Sequence, residues 1–222
     1  GLQKLGFGVF NNNPIRKLIL PASLVSSGGT LLTNDEQKSV IILGDPQFSN
    51  LGSDMGFGDT AEIYGLSGSD AEQLAYSCGY SFFPINAPSN FSAIMQDNKT
   101  VTLEWAAVSP VTRYKILRSE NGGEYREIAT LSGTVYTDEN ISYENTYKYK
   151  IYPIYTDCLN EIVEGKTSEA IARVEIPDSG LYDCLLEVAD NGDGILTSAE
   201  LGKIERIDAQ NRKISNIEGI HF

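Results

Sequence analysis

Between Pro88 and Ile176 the chain carries seven short apolar runs separated by turn residues, and no other stretch constrains the fold as tightly. The first surrounds Phe91. The second, TVTLEW, ends at Trp105, the only tryptophan. In it Val101, Leu103 and Trp105 point one way and Thr100, Thr102 and Glu104 the other, the period-two alternation of a half-buried strand. YKILRS, GEYREIATL, TVYTD, TYKYKIY and AIARVEI follow, divided by turn chemistry such as Asn121, Gly122 and Gly123. Seven short strands in so short a span, with no cysteine pair bracketing the tryptophan, predict a two-sheet sandwich. Trp105, Tyr114, Tyr147 and Tyr149 fit its core, and Tyr147 falls where a tyrosine corner belongs. Tyr143, Tyr152 and Tyr155 are candidates for an exposed aromatic patch suited to stacking on a sugar or meeting a protein.

The flanks follow other periods. In the first 85 residues short apolar cores recur at Leu18–Leu20, Val40–Leu43 and Ile63–Tyr64, their centres about 21 to 23 residues apart. A fixed period in that range marks a solenoid in which each repeat supplies one short strand. Pro21 and Pro46 follow the first two cores and stop them continuing. After the third, Ser69 and Glu72 form a capping-box pattern, and Ala71, Leu74, Ala75 and Cys78 give a helical stripe that Gly79 ends. Tyr80, Phe82 and Phe83 then read as a closing strand.

FNNNPIRKLILPASL resembles a BspA-type leucine-rich repeat of bacterial surface proteins, and EIYGLSGSDAEQLAYSCGYSFFPI resembles that family's C-terminal cap. About three or more repeats are needed to bury a continuous core, so two repeats and a cap imply a protein that extends upstream of Gly1. VTLEW, YKILRS and TYKYKIY are similar to the B, C and F strands of fibronectin type III domains. These resemblances imply a multi-domain, mainly β chain: a leucine-rich-repeat solenoid end over 1–85, a fibronectin type III β-sandwich over 87–176, and a small α-helical, EF-hand-like segment over 177–222.

In that last segment Leu181, Cys184, Leu185 and Val188 take helical spacing behind a candidate N-cap, Ser179. ADNGDGILTSAE comes next. An EF-hand calcium loop needs oxygen ligands at positions one, three, five, seven, nine and twelve and a glycine at six. With Gly194 at six, Asn191, Asp193, the Ile195 carbonyl, Thr197 and Glu200 fall correctly, but position one is Ala189 and the carboxylate comes one residue late, as Asp190. Calcium is the one cofactor this pattern suggests. Thr197 and Glu200 also form a capping box for a helix starting near Ser198, which needs no metal. Leu201, Ile204 and Ile207 continue the helical face, and Ile214, Ile217 and Ile220 are spaced by three. The helix, NGDG loop and ISNIEGI together resemble the N-terminal caps of leucine-rich-repeat arrays in Gram-positive surface proteins.

Composition narrows the function. A net charge of −13 repels a nucleic-acid backbone, and no run approaches the roughly 18 apolar residues of a membrane span. The three cysteines, Cys78, Cys158 and Cys184, are odd in number and far apart, and read as small apolar filler. The single histidine, His221, adjoins the terminus, no serine elbow appears, and no phosphate-cradling glycine loop is present. The expected function is therefore non-catalytic. It is that of an extracellular, secreted or surface-attached fragment for adhesion or protein binding, with a protein or glycan on a host or neighbouring cell as partner and the sandwich as spacer. The alternative is an accessory, dockerin-like region of a secreted polysaccharide-degrading complex.

Overall fold

A computed structural model describes residues 1–32, 38–48, 55–57, 60–97, 99–111, 113–189 and 191–220; His221 lies outside them. The chain is mainly β and forms two compact units. The first comprises Gly1–Ala87, Val108–Thr112 and Pro153–Lys166; the second comprises Pro88–Ala107, Arg113–Tyr152 and Thr167–Phe222.

The first unit opens with β1 (Lys4–Leu5), β2 (Lys17–Leu20), β3 (Ser26–Ser27), β4 (Ser39–Ile42), β5 (Gln47–Phe48), β6 (Glu62–Gly65), α1 (Asp70–Cys78) and β7 (Ser81–Pro84). They make two parallel sheets, ordered β1-β3-β5 and β2-β4-β6-β7. The spacing of the apolar cores sets the register: Leu18 lies beside Val40, Val40 beside Ile63 and Ile63 beside Phe82, while the neighbouring row runs Ile19, Ile41, Tyr64, Phe83. Successive side chains alternate across a strand, so the Leu18 row turns into a core shared with Leu31, Leu32, Phe57 and the Ala71, Leu74 and Ala75 face of α1. The two-residue strands of the second sheet are too short to carry a periodic signal and have no counterpart in the sequence reading.

The start of α1 departs from the expected capping box. Ser69 Oγ donates to the Leu66 carbonyl at 2.6 Å, and the Glu72 carboxylate accepts from the Gly68 amide at 2.7 Å, one residue earlier than the box requires. Gly68, at φ +76°, turns its amide toward that carboxylate. The helix stops as expected, at Gly79 in the left-handed region.

The next strands are β8 (Ser92–Asp97), β9 (Thr100–Glu104), β10 (Arg113–Glu120), β11 (Arg126–Ser132), β12 (Val135–Asp138), β13 (Tyr147–Thr156), β14 (Ile162–Glu164), β15 (Ser168–Ile171) and β16 (Arg173–Val174). β14 and the end of β13 belong to the first unit, and the other strands form two sheets in the second. One is ordered β12-β9-β8-β16; in the other β13 lies between β10 and β15, with β11 outside β10. AIARVEI is not one continuous strand. It breaks at Ala172, so that β15 lies antiparallel to β13 in one sheet and β16 parallel to β8 in the other. Val101, Leu103 and Trp105 are buried, as their alternation requires, and the Trp105 ring meets Phe91 and Tyr114 edge-on. The tyrosine corner is present: Tyr147 Oη accepts from the Ser142 amide at 2.8 Å. Beside it, buried Asp138 receives Arg118 Nη1 at 2.9 Å and Tyr149 Oη at 2.9 Å, tying β10, β12 and β13 together.

Behind the sandwich, α2 (Ser179–Ala189) and α3 (Ser198–Leu201) bury Leu181, Leu185, Leu196 and Leu201 against Val174 and Ile176. The cap of α2 is Asp178, not Ser179: Asp178 Oδ1 accepts from the Leu181 amide at 3.0 Å. α3 ends at Leu201 with Gly202 as its C-cap, and Ile204 and Ile207 pack against this core from outside the helix. Among the described residues no helix is long and apolar enough to cross a membrane.

Candidate functional site

The strand face of the first unit carries the second row of its register, Ile19, Ile41, Tyr64 and Phe83. The Ile19 row alternates with the core row and so points away from the core, which leaves Ile41, Tyr64 and Phe83 in need of another cover. That cover is the end of β13 with β14, a hairpin within the span read from sequence as sandwich. Tyr155 pairs with Val163 across the hairpin, and both pack on Ile41, Tyr64, Phe83 and Ile85. The Tyr155 ring stands edge-on to Tyr64 at 5.5 Å and to Phe83 at 5.8 Å, and its hydroxyl donates to the Pro84 carbonyl.

Polar ties frame this seal. Asp157 Oδ1 accepts from the amides of Leu159 and Glu161, each at 2.9 Å, which shapes the turn in which Asn160 takes φ +60°. Lys17 Nζ reaches Glu161 at 2.5 Å and Asp157 at 3.4 Å. Burial opposes the charge on Lys17, yet these carboxylates outweigh it and raise its pKa. Glu62 accepts from both Tyr64 Oη and the Cys158 amide, each at 2.8 Å. Burial, then the adjacent carboxylates of Glu62 and Asp157, push the Cys158 thiol up to about 11. It stays protonated at neutral pH, and thiol labelling of Cys158 is expected to be slow. These groups hold a hairpin in place, and each has a partner in that task. Sequence reading missed β14 because Ile162 and Val163 are too short a run to signal a strand; Asn160 in a turn position was the available clue.

The calcium pattern can be followed residue by residue, except at Asp190, which lies outside the described residues. Gly194 takes φ +74°, as position six demands. Asn191 Oδ1 accepts from the Asp193 amide at 3.1 Å and Asp193 Oδ1 from the Ile195 amide at 2.9 Å; both side chains are exposed. The Gly194 carbonyl accepts from Tyr182 Oη at 2.9 Å. Thr197 and Glu200 are buried and bonded to each other: Glu200 Oε2 accepts from the Thr197 amide and hydroxyl at 3.0 and 2.9 Å, and the Glu200 amide donates to Thr197 Oγ1 at 3.3 Å. This is the reciprocal capping box. A bidentate ligand at position twelve would have to give up those bonds, so the described residues do not fit a preassembled calcium cage. Among them no group of three or more His, Cys, Asp or Glu side chains is placed to hold a metal. Thr197→Ala is expected to destabilise this segment by about 1 kcal/mol through loss of the cap. The melting temperature is expected to be the same in millimolar calcium and in chelator; a rise with calcium would show that the loop rearranges around the ion.

Asp178 is the other charged group that organises the segment. Its Oδ2 accepts from the Ser215 amide at 2.8 Å, the Ser215 hydroxyl at 2.9 Å and the Asn216 amide at 3.1 Å. These bonds, with that from Leu181, hold its carboxyl well below the usual range. Because the folded pKa is depressed, the contribution is fully present above the ordinary aspartate value near ~4 and is lost as pH falls below it. Acidification is expected to release residues 212–220 before the sandwich unfolds, and Asp178→Ala to release them at neutral pH, read as new protease cleavage sites there.

The tyrosine patch does not form. Tyr152 is buried beneath Lys115 and Tyr155 belongs to the hairpin seal; of the three only Tyr143 is exposed. The cysteines are all free thiols, and Cys184 is buried with its Sγ directed at the Asp208 carbonyl.

No family model matches the chain, and none of the curated proteins does. Its neighbours among solved structures are fibronectin type III domains. An Fn3-like protein from Clostridium thermocellum is 28% identical with a TM-score of 0.34, over 41% of this chain and 97% of that one. The domain FN3tt is 19% identical at 0.34, over 40% and 91%. The FN3 domain of human collagen XX is 19% identical at 0.31, over 38% and 88%.

Proposed function

We propose that the chain is a non-catalytic, modular fragment of a secreted or cell-surface protein. Its first unit, read as the end of a BspA-type leucine-rich repeat, meets a protein or glycan partner, and its sandwich serves as the spacer that carries that unit. One observation supports this reading above the others. Of the twelve exposed large hydrophobic residues among those described, five, Leu2, Phe7, Val9, Ile19 and Val25, fall within the first 25 residues. Exposed large apolar side chains are candidates for a contact site, and the hairpin already fills the strand face over Ile41, Tyr64 and Phe83. Residues 1–34 carry Lys4, Arg16 and Lys17 and no Asp or Glu, in a chain of net charge −13, and Lys17 is paired with Asp157 and Glu161. In the sandwich, Asp138, Tyr149 and Tyr147 serve structural bonds. Arrays of host proteins and glycans test the reading, probed with the wild type and with a Phe7→Ser, Val9→Ser double variant. Binding that the variant loses supports it. Binding that the variant keeps places the contact elsewhere, and silence of the wild type leaves the spacer role alone.

A further inference from the structure

The break at Ala172, where the chain crosses from one sheet of the sandwich to the other, leaves both sheets short at that place. β15 pairs with β13 on one side and with no strand on its other side. β16 accompanies β8 only at Ile94 and Met95, so Ser92 and Ala93 have no strand neighbour on that side.

The free edge of β15 is open main chain. The Ala172 amide donates to the Tyr147 carbonyl at 2.9 Å, and bonding alternates along an antiparallel ladder. With Tyr149 opposite Ala170 and Ile151 opposite Ser168, the amides and carbonyls of Ala170 and Ser168 turn to β13, and those of Glu169 and Ile171 turn away from it. Such a row is a template for an added strand.

Beside this edge lies a cleft of about 550 Å³, with Phe91, Ile171 and Ile195 in its wall. That falls within the roughly 300–1,000 Å³ of ligand sites. Ile195 is held there by its neighbour, since the Val174 amide donates to the Leu196 carbonyl at 2.8 Å. Lys148, Glu169 and Arg173 supply the charge of the lining. Glu169 is already bonded to Lys150 Nζ at 2.8 Å, whereas Lys148 and Arg173 are exposed and make no ion pair among the described residues. Glu104, across from Ser92 on β9, is outside the lining.

We propose that this edge of the sandwich binds an extended, acidic peptide segment of a partner protein, which adds a strand to β15 and sets its carboxylates against Lys148 and Arg173. The open amides and carbonyls of Glu169 and Ile171 select main chain over a sugar or a small molecule, and the two unpaired cations select acid. In a chain of net charge −13 an acidic peptide is repelled from most of the surface, so attraction at this one place confers specificity.

Titration calorimetry and amide hydrogen exchange on the full chain test this, with an acetylated, amidated heptapeptide of alternating valine and glutamate as the probe. The peptide is expected to bind and to slow exchange of the Glu169 and Ile171 amides. Lys148→Glu and Arg173→Glu, both at exposed positions, are each expected to weaken binding by about tenfold or more. A probe N-methylated at the residues that face the edge, or one with lysine in place of glutamate, is expected not to bind. Circular dichroism verifies that both variants fold. No binding at millimolar peptide, equal binding of the methylated or lysine probes, variants that bind as well as the wild type, or protection gained at amides elsewhere would each overturn the proposal. So would a chain that dimerises alone with the Glu169 and Ile171 amides already protected.

Discussion

A chain ending at Ala87 is expected not to hold the fold of the first unit, even though it contains every strand of both parallel sheets. Without residues 153–166 the row Ile41, Tyr64, Phe83 and Ile85 loses its cover. Each side chain of that size contributes about 1.5–3 kcal/mol when fully buried, so uncovering four of them removes on the order of 5 kcal/mol or more. Whole domains are stable by about 5–15 kcal/mol. The fragment is therefore expected to aggregate or to bind a hydrophobic dye strongly. A graded version keeps the chain whole: Tyr155→Ala removes the ring against Tyr64 and Phe83 and the hydroxyl bonded to Pro84. Its expected cost is about 3 kcal/mol, the low end for loss of a buried ring because Tyr155 is only partly buried. Denaturant melts followed by circular dichroism measure it, and a cost below about 1 kcal/mol would mean that the hairpin rests on the sheet without holding it.

The second large effect is expected at Asp138. Its carboxylate is buried and accepts from Arg118 and Tyr149, so alanine there leaves a buried hydroxyl without its acceptor and leaves Arg118 only its bond to the Asn140 carbonyl. Removing one partner of a buried pair costs about 3–5 kcal/mol. Arg118 retains some access to water, with 20% of its side chain exposed, which places the expected loss near the lower end, about 3 kcal/mol. For a domain of this size that lowers the melting temperature by roughly 10–20 °C. Trp105 is the only tryptophan and lies in the second unit, so its fluorescence reports that unit's unfolding specifically. Asp138→Asn should recover part of the loss, since an amide oxygen still accepts from Arg118 and Tyr149. Equal melting of Asp138→Ala and wild type would show that the network contributes nothing.

These two sites show what was legible in the residues and what was not. TVTLEW, the spacing from Leu18 to Val40 to Ile63, and the Thr197–Glu200 capping box each express a local rule, a period or a fixed offset, and the structure follows all three. The split of AIARVEI at Ala172 is not local, because it depends on β13 and β8 both needing a partner from one short segment. The hairpin seal is less local still. Tyr155 and Val163 meet Tyr64 and Phe83 across more than 70 residues of chain, a pairing no periodicity records. Ser69 is the N-cap of α1, but its capping box with Glu72 does not form, and Ser179 is not the cap of α2, for a smaller reason: an adjacent group, the Gly68 amide in one case and the Asp178 carboxylate in the other, makes the bond first.

The central claim is that the hairpin of residues 153–166 is part of the first unit and fills its strand face over Ile41, Tyr64 and Phe83. Native-state hydrogen exchange on the full chain carrying Leu20→Ala tests it most directly, because Leu20 is buried in the first unit alone. The amides of Leu159, Glu161 and Gly165 are expected to lose protection together with those of Ile41 and Leu43, while Tyr114 and Tyr149 keep theirs. If the hairpin amides instead keep their protection and exchange with the sandwich, the claim is contradicted.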